Sequence, residues 1–483
     1  MSALAGLEPR LVWTRFDELT RIPRPSKEER AVREHVLAWA EARGLAAEVD
    51  EVGNVVVRVP ATDGREAAPT VVLQAHLDMV CERDPDSPYD PREGRIHVVR
   101  DGDWVLADGT TLGADNGIGV AGALATAEDP ALAHGPLELL LTVSEEQGLD
   151  GAKGLDPKLV TGRLLVNLDG TSDTSITVGC AGSAHTFTHL PLSPAALPDG
   201  WSALSVAFSG AKGGHSGEDI ASGRANAITA LARVLSSVRA RVPLRLAELH
   251  GGVSRNAIPR GARAVVAVAA AAEDAFGLAA EDALRALREQ HAGTDDGLEL
   301  ALEQVEPPAA AGEAATSRAL DLLAATPSGV VAMSTVVPGS VETSTSLNVA
   351  GIEDGVLTLA SMSRSASPTA LDALVARFEA LARLAGAEIE VVRSYPPWRP
   401  DLGSTLLATA RSAYARILDA EPELVVVHGG LECAVLGERL AGVQMISLGP
   451  EIVGPHAPGE RLSISGTERF YRLLGALLDD LSA

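Results

Sequence analysis

Five short apolar runs, none with a clean polar–apolar alternation, most constrain how this chain can fold. They span residues 70–80, 137–146, 163–170, 423–430 and 442–450. Strands that are buried on both faces have this pattern, because neither face meets water. Helical spacing of apolar residues is found in the intervening and following stretches, at 116–128, 431–440 and 466–481. Buried strands alternating with helices predict an α/β layered sheet.

Two Ser-x-x-Glu patterns predict where helices begin. Ser26 and Glu29 precede a helical pattern that ends at Gly44, and Ser465 and Glu468 open the C-terminal helix. In such a capping box the serine side chain accepts a backbone N–H of the first turn. We therefore expect Ser26 and Ser465 to cap these two helices.

The length and the middle of the chain predict two domains. A chain of 483 residues exceeds what one ordinary hydrophobic core organises. From about Gly182 to Arg393, alternating strands and alanine-rich helices replace the buried runs, which resume near Val425. We therefore predict one domain in two segments, 1–181 and 394–483, interrupted by an inserted α+β domain, 182–393.

Composition excludes several protein classes. Apolar residues make up 46% of the chain, which excludes a disordered protein. The 40 basic and 65 acidic residues give a net charge of −25, so we expect no nucleic-acid partner and no anionic membrane surface. The longest wholly apolar run, 264–272, is far shorter than the about 20 residues of a membrane helix. Three scattered cysteines and the lack of a signal-peptide pattern favour a cytoplasmic protein.

Histidine and carboxylate residues follow the predicted strands where each strand ends. These residues are His76, Asp78, Glu145, Glu146, Asp169 and His456, with Asp115 at the start of a helix. In open α/β sheets the ligand site lies at these strand ends. Side chains two residues apart on a strand, such as His76 and Asp78, project to the same side. Mixed histidine and carboxylate ligands suit zinc, cobalt or manganese rather than calcium.

The adjacent pair Glu145 and Glu146 directly follows a buried apolar run. Two neighbouring carboxylates disfavour each other's ionised form, so the pair is costly unless cations offset the charge. Consecutive side chains point to different sides of a strand, so we expect the two glutamates to have different roles.

Seven segments together carry a family resemblance. They are "QAHLDMV", "LGADNGIG", "SEEQGLDGAKGL", "NLDG", "GGHSGEDI", "HGGLECAVL" and "LGPEIVGPHAPGERLSI". The sequence resembles the aminoacyl-histidine dipeptidases, also called peptidase D, within the co-catalytic di-zinc peptidases that include peptidase V, peptidase T, carnosinase and aminoacylase. The resemblance implies a di-zinc exopeptidase domain, with a mixed, mostly parallel sheet between helices, and an inserted α+β lid domain.

The resemblance also implies a role for each residue of the metal site. His76 and Asp169 hold one zinc ion, Glu146 and His456 hold the other, and Asp115 bridges the two. Asp78 orients His76, and Glu145 is the general base for a hydroxide that bridges the ions. Co²⁺ or Mn²⁺ are possible substitutes for the two Zn²⁺. A cis peptide bond is expected at Asp115–Asn116.

In the lid, the resemblance implies that His215 stabilises the oxyanion, while Asn256 and Arg364 hold the carbonyl and carboxylate of the substrate. Arginine suits a carboxylate because its guanidinium donates two parallel hydrogen bonds. Glu432 and His428 are further candidates. Glu432 either meets the substrate amine or carries a charge in the first turn of a helix.

The sequence therefore predicts a metallo-dipeptidase for Xaa-His and related dipeptides of broad specificity. An N-acyl amino acid deacylase or carboxypeptidase on the same metal core is the alternative, because the sequence does not show the shape of the lid pocket. A catalytically inactive scaffold is disfavoured, since Glu145 and all five ligands are present. A structural zinc site is disfavoured because such sites prefer cysteine. The long insert makes a homodimer possible, and leaves open whether His215 acts on its own chain or on a second copy.

Overall fold

The computed structural model describes residues 2–483, which form two compact units. The first comprises residues 2–180 with Trp398–Val427 and Leu431–Ala483, and the second comprises Ala181–Pro397 with His428–Gly430. The last long strand of the second unit, Glu388–Tyr395, still pairs at Tyr395 with Ser183. This unit therefore ends a few residues after Arg393, where the alternating pattern of the sequence stops.

A mixed eight-stranded sheet organises the described part of the first unit. Its spatial order is Ala46–Val49, Val55–Val59, Leu137–Thr142, Val71–His76, Leu164–Asn167, Gln444–Ser447, Ser175–Cys180 and Glu423–Val427. Parallel pairing joins Val71–His76 to both of its neighbours. Every residue of Val71–His76 and of Leu137–Thr142 is buried, which confirms the prediction of strands covered on both faces.

Helices and a smaller sheet complete the first unit. The helices are Arg10–Leu19, Arg30–Glu41, Ala114–Thr126, Asp150–Gly154, Thr405–Leu418, Glu432–Arg439 and Ile464–Ser482, with a 3₁₀ turn at Pro157–Leu159. The small sheet has the order Ile452–Val453, Arg461–Ser463, Trp104–Ala107 and Val98–Asp101. The three helices predicted at 116–128, 431–440 and 466–481 are confirmed, with ends shifted by a few residues.

Both predicted capping boxes are wrong. The second helix begins at Arg30, and the Ser26 hydroxyl donates to Asp78 Oδ2 at 2.7 Å instead of capping it. The C-terminal helix begins at Ile464, one residue earlier than the predicted cap. Ser463 is the cap, and its Oγ accepts the backbone N–H of Gly466 at 2.9 Å. The hydrogen-bond partner of a serine side chain depends on which groups tertiary packing places nearby, and a local sequence pattern does not show this.

The second unit contains an antiparallel sheet with helices, as predicted for an α+β insert. The strands run in the order Glu299–Val305, Trp201–Ser209, Ala262–Ala269, Leu244–Gly251, Val341–Glu353, Val356–Ser365, Gly182–Pro191 and Glu388–Tyr395, and Gly329–Met333 pairs with Val341–Glu353. Short two-stranded pairs are Pro194–Ala195 with Ala310–Ala311 and Gly214–His215 with Ala257–Ile258. The helices are Ala227–Arg239, Glu273–Gln290, Glu313–Ala325 and Pro368–Ala385, with 3₁₀ turns at Ile220–Ser222 and Ala270–Ala272.

Alternation explains the core of this unit. Along Trp201–Ser209 and Ala262–Ala269, the residues Val206, Phe208, Ala264 and Val266 are buried with the inner face of helix Ala227–Arg239. Small and β-branched side chains fill the space between this sheet and its helices. Among residues 2–483, no helix combines the length and the apolarity that crossing a bilayer requires.

Candidate metal centre

Three adjacent parallel strands bring the first group of polar residues together. Strands Val71–His76, Leu137–Thr142 and Leu164–Asn167 are neighbours, so their carboxyl ends meet at one edge of the sheet. His76 ends one strand, Glu145 and Glu146 follow the second, and Asp169 follows the third. The sheet alone therefore gathers four of the predicted site residues.

Two further segments reach the same edge. Asp115 stands in the first turn of helix Ala114–Thr126, and its peptide bond to Asn116 is cis, as expected. His456 lies in the loop between the short strands Ile452–Val453 and Arg461–Ser463, with a left-handed φ of 66° and half of its side chain exposed.

The carboxylate of Asp115 lies between the two histidines. Its Oδ1 is 3.0 Å from His76 Nε2, and its Oδ2 is 3.1 Å from His456 Nε2. On the first side, His76 Nε2 is 3.5 Å from Asp169 Oδ1. On the second side, His456 Nε2 is 3.0 Å from Glu146 Oε2. The cluster therefore divides into two halves that share Asp115.

The close packing of these charges shifts their pKa values strongly. Burial, together with the Asp115 charge, raises the pKa of Asp169 to about 8. Hydrogen bonds to Asp115 and Glu146 raise the pKa of His456 to about 11, although burial opposes this. Burial would raise the pKa of Asp115, but the two histidines hold it below its usual range. Carboxylates in this arrangement need positive charge between them.

The residues fit divalent metal ions. One ligand atom from each of His76, Asp115 and Glu146 can be chosen so that all three lie within 4.8 Å of one another. Glu146 Oε1 is buried and has no hydrogen-bond partner among the described residues. A buried carboxylate oxygen without a donor is costly, and a metal ion would satisfy it. Two histidines and three carboxylates form a donor set that suits zinc, cobalt or manganese.

Asp78 supports the cluster from below and is fully buried. Its Oδ1 lies 3.4 Å from His76 Nδ1, and its two oxygens accept the backbone N–H groups of Glu145 and Glu146 at 3.0 and 3.2 Å. Burial opposes its ionisation, but the hydrogen bonds from His76 and Ser26 lower the pKa of Asp78 to about 2. Asp78 is therefore a charged group at neutral pH.

Glu145 is partly buried next to the cluster. Burial raises its pKa well above the usual range, and the charges of Asp169 and Glu146 add to this effect, while His76 opposes it. Cations at the neighbouring ligands would offset these negative charges and lower the pKa again.

Glu432 is buried close to the cluster and lies in the first turn of a helix, the second of the two roles that the sequence allowed, while contact with a substrate amine stays a prediction. Its side chain is 1% exposed, and its Oε2 accepts hydrogen bonds from Gln74 Nε2 and Thr142 Oγ1 at 2.5 and 2.7 Å. It belongs to the first turn of helix Glu432–Arg439. Burial raises the pKa of Glu432 to about 7. The apolar run at 423–430, which precedes this helix, did not indicate that Glu432 would contact Gln74 and Thr142.

A second polar cluster lies within the second unit. Arg364 is 3% exposed, and its Nη1 donates to the Tyr395 hydroxyl at 3.0 Å while its Nη2 is 3.5 Å from His215 Nε2. Arg364 Nε has no hydrogen-bond partner among residues 2–483. His428 Nε2 lies 2.7 Å from Ser344 Oγ. Burial and then the Arg364 charge lower the pKa of His428 to about 4.

Asn256 directly precedes the short strand that pairs with the strand containing His215. The short strands Gly214–His215 and Ala257–Ile258 pair, and the backbone N–H of Ser216 donates to Asn256 O at 2.8 Å. The exposed side chain of Asn256 accepts from Ser254 Oγ. All four residues that the sequence suggested for substrate binding are thus located, three of them in the second unit and Glu432 in the buried layer of the first.

Two buried residues of the site were missed by the sequence analysis. Arg24 donates to the carbonyl oxygens of Leu77 and Asp78 at 3.0 and 2.7 Å. Glu460 accepts backbone N–H groups around Asp115. The sequence offered a signal for Glu460, which lies four residues after His456 in a recognised segment. It offered none for Arg24.

An α/β unit with histidine and carboxylate groups at its strand ends, plus an inserted unit, defines the general class of metal-dependent hydrolases. The description "Peptidase family M20/M25/M40" matches residues 72–480, and the chain belongs to this family. The fold prediction, an α/β domain of this type with an inserted α+β domain, is thereby confirmed.

Individual relatives agree over the whole length. The chain is 39% identical over 484 residues to the cytosol non-specific dipeptidase of Escherichia coli (strain K12), covering 100% of both. The crystal structure of aminoacylhistidine dipeptidase from Vibrio alginolyticus matches with a TM-score of 0.91 and 37% identity, covering 99% of this chain and 98% of the other. Aminopeptidase PepT of Bacillus cereus shares the fold, with a TM-score of 0.58 and 17% identity over 99% of this chain and 100% of the other.

Proposed function

We propose that this chain is a metallo-dipeptidase that hydrolyses Xaa-His and related dipeptides with broad specificity. The observation that carries the proposal is the position of Asp115, whose two carboxylate oxygens each face a different histidine. A site divided in this way suits two metal ions that share one carboxylate. The two full-length relatives are named as dipeptidases, which supports the substrate class.

Five residues would hold the ions. His76 and Asp169 serve one ion, Glu146 and His456 serve the other, and Asp115 serves both. We propose zinc as the native metal, with cobalt or manganese as substitutes, because imidazole and carboxylate ligands suit all three. When bound, such ions acidify water and polarise the carbonyl group that is attacked.

Glu145 is proposed to be the general base. The 3.0 Å approach of Glu146 to His456 supports a ligand role for Glu146, whereas the Glu145 side chain has no such partner among residues 2–483. The backbone N–H of Glu145 is fixed by Asp78, so its side chain starts from a defined position. A carboxylate held next to the reacting water can accept its proton and pass it to the leaving amine.

His215 is proposed to donate a hydrogen bond to the oxyanion. Its Nδ1 accepts the backbone N–H of Glu218 at 3.2 Å, which leaves Nε2 to carry the proton of a neutral ring once Arg364 Nη2, 3.5 Å from Nε2, donates to a substrate carboxylate instead. Burial and then the Arg364 charge lower the pKa of His215, which favours this neutral form at pH 7. A neutral Nε2–H is the donor that a developing negative charge requires.

Arg364 is proposed to bind the substrate carboxylate. Its partners in the structure are the Tyr395 hydroxyl, the His215 ring and the Met362 sulfur, all of which are neutral. A buried guanidinium without an anion is unfavourable, so this cluster is suited to receive a carboxylate. Asn256 and His428 are proposed to contact the remainder of the substrate. We further propose a cytosolic location and a homodimer.

The test is hydrolysis of matched substrates by metal-free and zinc-reloaded protein. We would compare a panel of Xaa-His and other dipeptides with N-acyl amino acids that have the same C-terminal residue. We expect zinc-dependent cleavage of the dipeptides and little cleavage of the acylated compounds. Cleavage of only the N-acyl compounds would identify a deacylase, and the absence of any cleavage with two ions bound would overturn the enzymatic proposal.

A further inference from the structure

The carboxylate of Glu460 accepts four consecutive backbone N–H groups. Its Oε2 accepts from Leu112 and Gly113 at 2.8 and 3.0 Å, and its Oε1 accepts from Ala114 and Asp115 at 2.7 and 3.2 Å. The side chain is 1% exposed. These donors open the helix that begins at Ala114 and have no carbonyl partner within the helix. Glu460 therefore fixes the backbone that carries Asp115.

Glu460 also belongs to the loop that carries His456. This loop joins the paired strands Ile452–Val453 and Arg461–Ser463. His456 itself is half exposed, and its ring contacts Asp115 and Glu146. Such an exposed ring has little packing to orient it, so its position depends on how its loop is anchored. The Glu460 side chain provides this anchor and connects it to the Asp115 turn.

Arg24 holds the same turn from the opposite side. Its guanidinium donates to the carbonyl oxygen of Gly113, and to those of Leu77 and Asp78 at 3.0 and 2.7 Å. Gly113 has a left-handed φ of 68°, and a Cβ there would lie 2.6 Å from Met79 Sδ. The guanidinium of Arg24 thus holds a carbonyl group of this turn, the carboxylate of Glu460 holds its N–H groups, and there is no space for a side chain at Gly113.

The two halves of the cluster differ in how they are held. His76 and Asp169 are attached to neighbouring strands of the central sheet, whose ladder fixes their spacing. His456 is instead on a surface loop, which meets Asp115 through Glu460. Loss of the Glu460 carboxylate would therefore disturb the Asp115–His456 geometry more than the His76–Asp169 geometry.

We propose that Glu460 is a positioning residue for the metal centre. It fixes the Asp115 turn against the His456 loop, and it thereby sets the metal affinity of the half-site formed by Asp115, Glu146 and His456. This inference rests on the proposed two-ion site. Mutation of groups that hold the direct ligands in place commonly lowers metal affinity by roughly 10- to 100-fold. Glu460 differs from such groups because it acts through four backbone bonds rather than through a ligand side chain.

The experiment compares Glu460→Gln with a matched variant, Glu138→Gln. Glu138 is also buried, at 2% exposure, and also accepts backbone N–H groups, from Thr161 and Gly162. It lies at the start of strand Leu137–Thr142, the end opposite the metal cluster. Zinc binding to metal-free protein would be titrated against a chromophoric chelator to obtain two dissociation constants.

We expect Glu460→Gln to raise one of the two dissociation constants, that of the half with His456, by roughly 10- to 100-fold and the other by much less. Glu138→Gln should leave both constants within about threefold, although both variants lower the melting temperature. In Glu460→Gln, excess zinc should restore much of kcat, which a general loss of folding would not allow. Should Glu460→Gln not fold, Glu460→Asp and Glu138→Asp replace the pair, with the same ranking expected.

Equal zinc affinities in the Glu460 and Glu138 variants would overturn the positioning role while leaving the proposed function intact. If the unaltered protein bound no zinc, the proposed function and this inference would both be wrong. Two bound ions, with selective weakening in the Glu460 variant alone, would support both.

Discussion

The carboxylate of Asp78 accepts the backbone N–H of Glu145, with 3.0 Å between Asp78 Oδ1 and the amide nitrogen. The same oxygen lies 3.4 Å from the Nδ1 atom of His76. One buried carboxylate therefore orients both a proposed ligand and the segment that carries the proposed base. Its second oxygen accepts the backbone N–H of Glu146, so the backbone of both adjacent glutamates is fixed at the end of a buried strand.

Asp78→Asn should lower both metal affinity and catalysis. The amide keeps the size of the side chain but lacks the negative charge that stabilises a metal-bound His76, and its NH₂ group cannot accept from Glu146. We expect a loss of roughly 10- to 100-fold in zinc affinity and a further fall in kcat at saturating zinc. Competition titration and steady-state kinetics at high zinc measure the two effects separately. Unchanged kcat at saturating zinc would mean that Asp78 does not position Glu145.

Glu145→Gln and Glu146→Gln should differ, although the residues are adjacent. Glu145→Gln removes the proposed base, so we expect kcat to fall by roughly 100-fold or more while two zinc ions still bind. Glu146→Gln removes a proposed ligand, so one ion should be lost or bound far more weakly. Metal content after dialysis and kcat for a dipeptide distinguish the variants. The reverse pattern would exchange the two roles.

Arg364→Ala should remove recognition of the substrate carboxylate. Truncation of one partner of a buried, charged hydrogen-bonded pair costs about 2–5 kcal/mol, so kcat/KM for a dipeptide should fall by roughly 30-fold or more. The variant should also lose most of the preference for a free over an amidated C-terminus. Arg255→Ala is the control, because this exposed arginine packs over Phe187 instead. A preserved preference in Arg364→Ala would exclude the proposed contact.

His428 should make stability depend on pH. Its pKa is about 4 in the folded protein, below the usual value near 6.5, so the unfolded chain binds more protons between these values. The free energy of unfolding therefore keeps its full value above pH 6.5 and falls by roughly 1–3 kcal/mol as the pH is lowered towards 4. His428→Asn should be less sensitive to pH across this window. Melting temperatures from pH 4.5 to 7 check this, and parallel curves for the two proteins would contradict it.

Much of the fold could be predicted because its signals are local. The runs at 70–80 and 137–146 contain strands that are buried at every position, as their lack of alternation indicated. Strand ends then located His76 and Asp169 at one edge, because parallel neighbours end together. The segments that carry the family resemblance added His456, which no strand pattern of the central sheet could have placed.

Other features depended on which groups met in three dimensions. Ser26 donates to Asp78, 52 residues later, instead of capping its helix, and Glu432 accepts from Gln74, 358 residues earlier in the chain. A serine or glutamate side chain can form hydrogen bonds of similar strength with several groups, and the folded structure determines which of these groups is within reach. Local spacing does not identify that partner.

The sequence by itself determined the class of fold, the strand ends that deliver the site residues, and the family to which the chain belongs. Only the tertiary structure decided that each oxygen of Asp115 faces its own histidine, and that Glu460 secures the Asp115 turn. The reason is physical. Burial patterns follow from the order of apolar residues along the chain, whereas the bond between Glu460 and Leu112 joins groups 348 residues apart and exists only once both are packed.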